Sequence, residues 1–420
     1  MYQSGLEKNA NRDIIFLLLC FLWFVESAKL DWIIPNLAPL HHAVAFFHLV
    51  IFTIWIFSSR KDLKNNQTIL FLAFVFLMFV SSFFARNNGV ARQIVLGFPL
   101  LLITYLATIS FADNFFKIKR VILIFIICNI IMAVLGIIHA GRVPYSPTIG
   151  DENDFALLMN VLVSLTFFSA LASQTSIKRY FYLFLTVLFL SGVVVSRSRG
   201  GFVGLCAVLL FFIFASPKKK YAAILCSIMI AGAIIFTPMT YWKEMKTLEM
   251  GTQEATAKTR KYFWEIAVRE FKDRPIIGVG PRNFGVWFPD YVEYGDPFQR
   301  YIHNPRLSYG RVAHSIYATL LAELGIVGVL LFAGLIYFFL KECKKIKDVW
   351  KKNQKAQNRT IHEAYYLSLG IKGALFGYLV SGAFLSVLYY SWFYFLLTFI
   401  VGLSNAICKS SDIQCEGERI

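Results

Sequence analysis

Residues 120–140 read RVILIFIICNIIMAVLGIIHA, a stretch whose single formal charge, Arg120, stands at its first position. A helix of about twenty such residues crosses the roughly 30 Å hydrocarbon layer of a bilayer with every backbone hydrogen bond satisfied internally. Comparable runs recur near 13–29, 39–57, 67–84, 90–111, 153–173, 179–195, 201–216, 221–240, 313–340, 361–381 and 384–407. The whole chain agrees: 57% of its 420 residues are hydrophobic, 17% aromatic and 16% charged, with a mean hydropathy of +0.59. That balance lies outside what a soluble domain of this length shows. The runs are continuous rather than alternating, which excludes an outer-membrane barrel. The expected fold is therefore an all-α polytopic membrane protein of about twelve transmembrane helices. The first apolar run, Ile14 to Val25, is followed by Glu26 rather than by small residues, so no cleavable signal peptide is expected.

Basic residues gather in alternate loops: Arg60, Lys61 and Lys64; Lys117, Lys119 and Arg120; Lys178 and Arg179; Lys218, Lys219 and Lys220; and the 341–360 segment KECKKIKDVWKKNQKAQNRT. By the positive-inside tendency these loops are cytoplasmic, both termini are inside, and the long break is on the outer face. The chain divides into an N-terminal bundle of about nine spans (1–240), an outer loop with an amphipathic helix (241–312), and C-terminal spans with a cytoplasmic tail (313–420). The formal charge of +17 is a topology signal and an attraction to membrane lipids rather than a sign of nucleic acid. Cys20, Cys128, Cys206 and Cys226 fall in spans, and Cys343, Cys408 and Cys415 on the cytoplasmic side, so the outer loops hold no thiol for a disulfide.

Against that topology, VVVSRSRGGFVG at 193–204 is out of place: it puts Arg197 and Arg199 at the outer face with no acid beside them in sequence. Arg86, Arg92 and Arg142 also lie at outer span ends, where lysine is nearly absent. Arginine differs from lysine in its planar fork, which grips phosphate oxygens in pairs and stays charged when partly desolvated. An anionic ligand at the membrane surface accounts for that choice, although a single interfacial arginine also serves simply to snorkel to lipid phosphate.

The outer loop adds more. KTRKYFWEIAVREFK (258–272) is an amphipathic helix with Phe263, Ile266, Ala267 and Phe271 on one face and Arg260 one turn from Trp264, expected to lie along the bilayer surface with Arg269 and Lys272 snorkelling. In DRPIIGVGPRNFG (273–285) Pro275 ends the helix, Gly278 and Gly280 permit left-handed backbone, and Arg282 projects from the turn. VAHSIYATLLAELGIVGVLLF (312–332) then re-enters the membrane with His314 at its outer end, where an imidazole can take a proton from a hydroxyl. Glu323 follows nine residues later, on a continuous helix about 13 Å deeper and on the opposite face. His41, His42, His48 and His139 read as structural.

Taken in order, S-x-S-R-G (Ser196 to Gly200), Arg260 with W-x-x-A (Trp264 to Ala267), R-P-I-I-G-V-G-P-R-N-F, and H-S-I-Y followed by A-E-L-G-I-V-G resemble the O-antigen ligases and related lipid-linked polysaccharide polymerases, over about residues 150–405. The resemblance implies a helical membrane fold of the glycosyltransferase-C type and a periplasmic loop over a cavity for an undecaprenyl-pyrophosphate-linked glycan. It implies transfer, without metal or cofactor, to an acceptor such as lipid A–core at the periplasmic face of the bacterial inner membrane. It places pyrophosphate binding on Arg199, Arg260 and Arg282, with Arg197 as an alternative to Arg199, and the catalytic roles on His314, Arg282 and Arg260. Where the family often has H-N-x-Y this chain has H-S-I-Y, which passes that asparagine's role to Ser315 or Asn304. A polymerase would use nearly the same phosphate site; a transporter would need charged residues along a mid-membrane path, and the spans offer mainly Glu323 and Lys372.

Overall fold

The computed structural model describes residues 2–29, 40–58, 65–144, 149–217, 255–295, 298–354 and 358–410, with Ser146 and short pieces of 219–231. Most of the ninth expected span, together with Arg60, Lys61, Lys64, Lys218 and Cys415, lies outside the described residues. The architecture is all-helical, without a strand among the described residues. The N-terminal part runs α1 (Tyr2–Ala28), α2 (Leu40–Phe57), α3 (Asn66–Phe83), α4 (Asn88–Val95), α5 (Phe98–Phe111), α6 (Phe115–Ile138), α7 (Glu152–Ala172), α8 (Ser176–Val195) and α9 (Arg199–Ala215). After it come α10 (Ala255–Asp273), α11 (Ile316–Lys352), α12 (Arg359–Gly382) and α13 (Ser391–Ser410).

Seven helical stretches among the described residues are long and apolar enough to cross a membrane: Asn66–Phe83, Asn88–Phe111, Phe115–Ile138, Glu152–Ala172, Ser176–Val195, Ile316–Lys352 and Ser391–Cys408. Helices also occupy the stretches expected at 13–29, 39–57, 201–216 and 361–381. The protein is a multi-pass helical membrane protein. The span expected at 90–111 is two helices, broken at Leu96 and Gly97, with Pro99 in the first turn of α5, where it has no hydrogen bond to lose.

α7 is the axis of the bundle. Its apolar window is 94% buried inside the protein, against 33% for α8, so α7 is walled in by other helices while α8 faces lipid. Close approach of α9 to α7 and α12 relies on absent side chains: a Cβ on Gly201 of α9 would stand 2.3 Å from Ala156 Cβ of α7, and one on Gly204 would stand 1.8 Å from Ser381 Oγ of α12. Lipid tails are as apolar as leucine, so such small-residue contacts, rather than apolar burial, hold membrane helices together.

α11 departs furthest from expectation. The 341–360 segment is not wholly a loop, because the helix continues to Lys352; its 37 residues would measure about 55 Å, well beyond the hydrocarbon layer. The helix is also broken near its start at Gly325 (φ 63°, ψ −162°). The glycine turn after α10 repairs the break: Val279 and Gly280 N–H donate to Ala322 and Glu323 carbonyls at 2.9 and 3.0 Å, and Ile326 and Val327 N–H to Pro275 and Ile276 carbonyls at 2.8 and 3.2 Å. The backbone groups freed by the kink thus find protein partners, as irregular backbone at membrane depth must. Both glycines are obligatory, since a Cβ on Gly278 would meet the Glu323 carbonyl carbon at 2.3 Å and one on Gly325 the Ile276 oxygen at 2.5 Å.

The described part of the long loop packs on this junction as a small subdomain. Phe263, Ile266 and Ala267 of α10 are buried against Phe284, Phe288, Tyr301, Ala313 and Ala322. The amphipathic face expected on the bilayer surface is therefore covered by protein. Arg269 does not snorkel freely either: it donates to the Tyr291 carbonyl at 2.8 Å and pairs with Glu293 at 2.8 Å.

Candidate active site

The S-R-S-R-G-G stretch is the corner between α8 and α9. Ser196 Oγ donates to the Val193 carbonyl at 2.7 Å and accepts Ser198 N–H at 3.2 Å, Arg197 takes a left-handed conformation (φ 52°), and Ser198 caps α9 by accepting Gly201 N–H at 2.9 Å. Such a cap is worth about 1 kcal/mol. Arg199 is the first residue of α9, half-buried, and Arg197 is exposed. A cation at the positive pole of a helix is unfavourable by a few tenths to about 1 kcal/mol, unless an anion sits there too. The corner docks on an acidic helix start. Ser198 Oγ donates to Asn153 Oδ1 at 2.7 Å in the first turn of α7, between Glu152 and Asp154, with Asp151 as that helix's cap.

Arg282 sits in the glycine turn, exposed, with φ 55°. Its backbone N–H donates to Glu323 Oε2 at 2.7 Å, Phe284 N–H donates to Oε1 at 3.3 Å, and the Tyr389 hydroxyl donates to Oε2 at 2.5 Å. The buried carboxylate of Glu323 thus clamps the turn that presents Arg282, and its partners are that turn and Tyr389 rather than His314. Asn283 adds a second anchor, its Oδ1 accepting Asn87 N–H at 2.8 Å.

His314 precedes Ser315, the cap of α11, and has φ 52°. Its ring stacks on Phe263 of α10, centroids 6.0 Å apart and planes 17° apart, one helical turn beyond Arg260. Burial, then the charge of Arg260, holds the imidazole below its ordinary pKa, with Asp151 opposing and Arg311 adding to the depression. The ring is therefore neutral and able to accept a proton near neutral pH. Ser315 is committed as the cap, its Oγ accepting Ala318 N–H at 3.4 Å, and Asn304 is exposed.

Among the described residues, the non-glycine positions with left-handed φ are Lys29, Ala140, Arg197, Arg282 and His314. Three are residues singled out by sequence, and Ala140 precedes Gly141, whose Cβ would meet Ser196 Cα at 2.4 Å in the Arg197 corner. Strain of this kind costs about 1–3 kcal/mol per residue and concentrates at functional sites.

These parts meet around the first turn of α7. Asp151 acts electrostatically on both His314 and Tyr390, Arg282 acts on Tyr390, and the Tyr390 hydroxyl donates to Asp154 Oδ2 at 2.6 Å. Arg86 and Arg142 pair with Asp290 at 2.5 Å and Glu152 at 2.9 Å. Sequence reasoning missed Asp151, Asp154, Tyr389 and Tyr390. The acidic start of a helix at Asp151–Asp154 was legible, but nothing local tied it to the Ser198 corner more than forty residues away. Glu270 of α10 is wholly buried, its carboxyl group has no hydrogen-bond partner among the described residues, and burial pushes its pKa well above its ordinary value.

Residues 184–333 match the family model for O-antigen ligase. The chain is also similar to two Rickettsia proteins provisionally named polysaccharide ligases. Identity to that of Rickettsia prowazekii is 28% over 179 residues, 40% of this chain and 40% of the relative. Identity to that of Rickettsia conorii is 24% over 239 residues, 51% of this chain and 53% of the relative. The chain thus spans about half or less of the length of these curated relatives. The segment of this membrane protein that is similar to the O-antigen ligase family holds Arg197, Arg199, Arg260, Arg282, His314 and Glu323.

Proposed function

We propose that this protein is a metal-independent glycosyltransferase of the ligase type. It moves a glycan from undecaprenyl pyrophosphate onto lipid A–core at the periplasmic face of the bacterial inner membrane, with both termini in the cytoplasm. The observation that carries this reading is the convergence of three separately strained or capped segments, bearing Arg199, Arg282 and the Arg260–His314 pair, on one end of α7.

In the transfer, the bond between the anomeric carbon and the pyrophosphate oxygen breaks, and the leaving oxygen keeps the electron pair. Arg199, Arg260 and Arg282 hold the diphosphate and offset the charge that grows on it, work that a divalent ion does elsewhere. The acceptor hydroxyl oxygen bonds to the anomeric carbon as its proton passes to His314, whose neutral imidazole is available for it. Arg197, exposed at the corner, extends the same basic surface.

Deleting the gene in its host and examining the glycolipids tests this reading. Long glycan stranded on its carrier, with lipid A–core unextended, is expected. Single capped repeats in place of long chains would instead assign a polymerase, which needs the same phosphate site.

A further inference from the structure

Tyr389 and Tyr390 are consecutive, in the loop between α12 and α13, and donate to carboxylates on different elements. Tyr389 reaches Glu323 Oε2 at 2.5 Å and Tyr390 reaches Asp154 Oδ2 at 2.6 Å. Beyond Glu323 lies the Arg282 N–H, at 2.7 Å from the same Oε2. Beyond Asp154 lies its neighbour Asn153, whose Oδ1 accepts from Ser198, the cap directly before Arg199, at 2.7 Å. One chain of short hydrogen bonds therefore runs from the Arg282 turn through the two tyrosines to the start of α9. Both tyrosines are half-buried and the backbone between them is a single peptide unit, so the separation of the two carboxylates has little freedom.

We propose that the Tyr389–Tyr390 pair is a staple that sets the distance between the two arginine-bearing segments, and thereby makes the site prefer a diphosphate over a monophosphate. The proposal rests on the phosphate-binding reading of Arg199 and Arg282. A single phosphoryl group needs one guanidinium fork, whereas two linked groups engage both forks at once only when the forks stand at the right span. Simultaneous engagement gains affinity without new contacts and is lost when geometry forbids it. The tyrosines touch neither phosphate in this scheme; they are positioning residues.

The test uses the full-length protein in lipid nanodiscs and compares binding of inorganic pyrophosphate with that of inorganic phosphate. Tyr389→Phe and Tyr390→Phe are each expected to weaken pyrophosphate binding about tenfold, in line with one lost buried hydrogen bond, and to leave phosphate binding unchanged. The double variant should bind like either single one, because breaking a series linkage twice has no further effect. Independent local supports would instead multiply to roughly 100-fold. Equal weakening of both ligands, multiplicative loss, or unchanged discrimination overturns the staple. Should Tyr390→Phe fail to fold, Asp154→Asn, which keeps an acceptor for the phenol, is expected to retain the discrimination and Asp154→Leu to lose it; retention in both overturns the proposal as well. Arg199→Ala and Arg282→Ala report separately on the underlying reading: wild-type pyrophosphate binding in both would remove the phosphate site itself.

Discussion

Replacing Glu323 asks how a buried carboxylate governs an arginine that it touches only through the backbone. Glu323→Ala strands three donors, the N–H groups of Arg282 and Phe284 and the hydroxyl of Tyr389, each now in hydrogen-bond contact with the carboxylate. A buried donor left unpaired costs about 1–3 kcal/mol, and water entering the vacated space recovers part of it, so a net loss of about 3–5 kcal/mol in local stability is expected. The same bonds hold Arg282 at φ 55°, a conformation that costs a non-glycine residue about 1–2 kcal/mol. Without them the turn relaxes and the guanidinium leaves its place. Transfer should fall at least about 100-fold, the equivalent of roughly 3 kcal/mol. Glu323→Gln is different: its amide oxygen can face the Arg282 and Tyr389 donors while its NH2 opposes only Phe284 N–H, already the longest contact at 3.3 Å. That variant should lose about tenfold, for one hydrogen bond of about 1.4 kcal/mol. Glycan transfer in membrane vesicles gives the rates, and amide exchange over residues 275–284 gives the local stability. If the alanine variant kept wild-type exchange and activity, the clamp would have no such role. If glutamine were as damaging as alanine, the carboxylate's charge rather than its acceptor geometry would be at stake.

Arg199→Ala, Arg260→Ala, Arg282→Ala and His314→Ala should insert normally and lose glycan transfer, measured on the lipid-linked donor; full activity in any of them removes that residue from the proposed site. Gly278→Ala, at φ 69° with its new Cβ 2.3 Å from Glu323 backbone, should destabilise the loop junction by about 2 kcal/mol or more and lower the yield of folded protein on size-exclusion chromatography. Because burial and Arg260 depress the His314 pKa, the acidic limb of the transfer rate should lie below the ordinary histidine range, and Arg311→Ala, which removes another positive neighbour, should move it up; a limb that stayed put would detach the profile from His314. Glu270 has its pKa raised in the folded state, so proton linkage adds no cost while both folded and unfolded forms are protonated, and an increasing cost as pH rises from the carboxyl range towards the folded pKa. Glu270→Gln should then be at least as stable as wild type, by a margin in melting temperature that widens with pH; a margin independent of pH would contradict the raised pKa of Glu270.

The sequence alone determined that this chain crosses a membrane as helices, since that follows from twenty-residue apolar runs and backbone hydrogen bonding, both local properties. It also marked Arg199, Arg260, Arg282 and His314, because arginine where lysine is avoided, a glycine turn and a histidine at a span end are visible residue by residue. Tertiary structure decided the rest. The face of Phe263 and Ile266 is covered by the loop's own aromatic core rather than by lipid, and an amphipathic pattern cannot tell those two apolar partners apart. Glu323 holds Arg282 because the glycine turn after α10 docks on the break at Gly325, a contact that helical arithmetic along α11 does not reveal. Asp154, Tyr389 and Tyr390 acquire meaning from contacts across 66 and 236 positions of sequence. A hydrogen bond depends on where two atoms stand in space, which no spacing along the chain encodes.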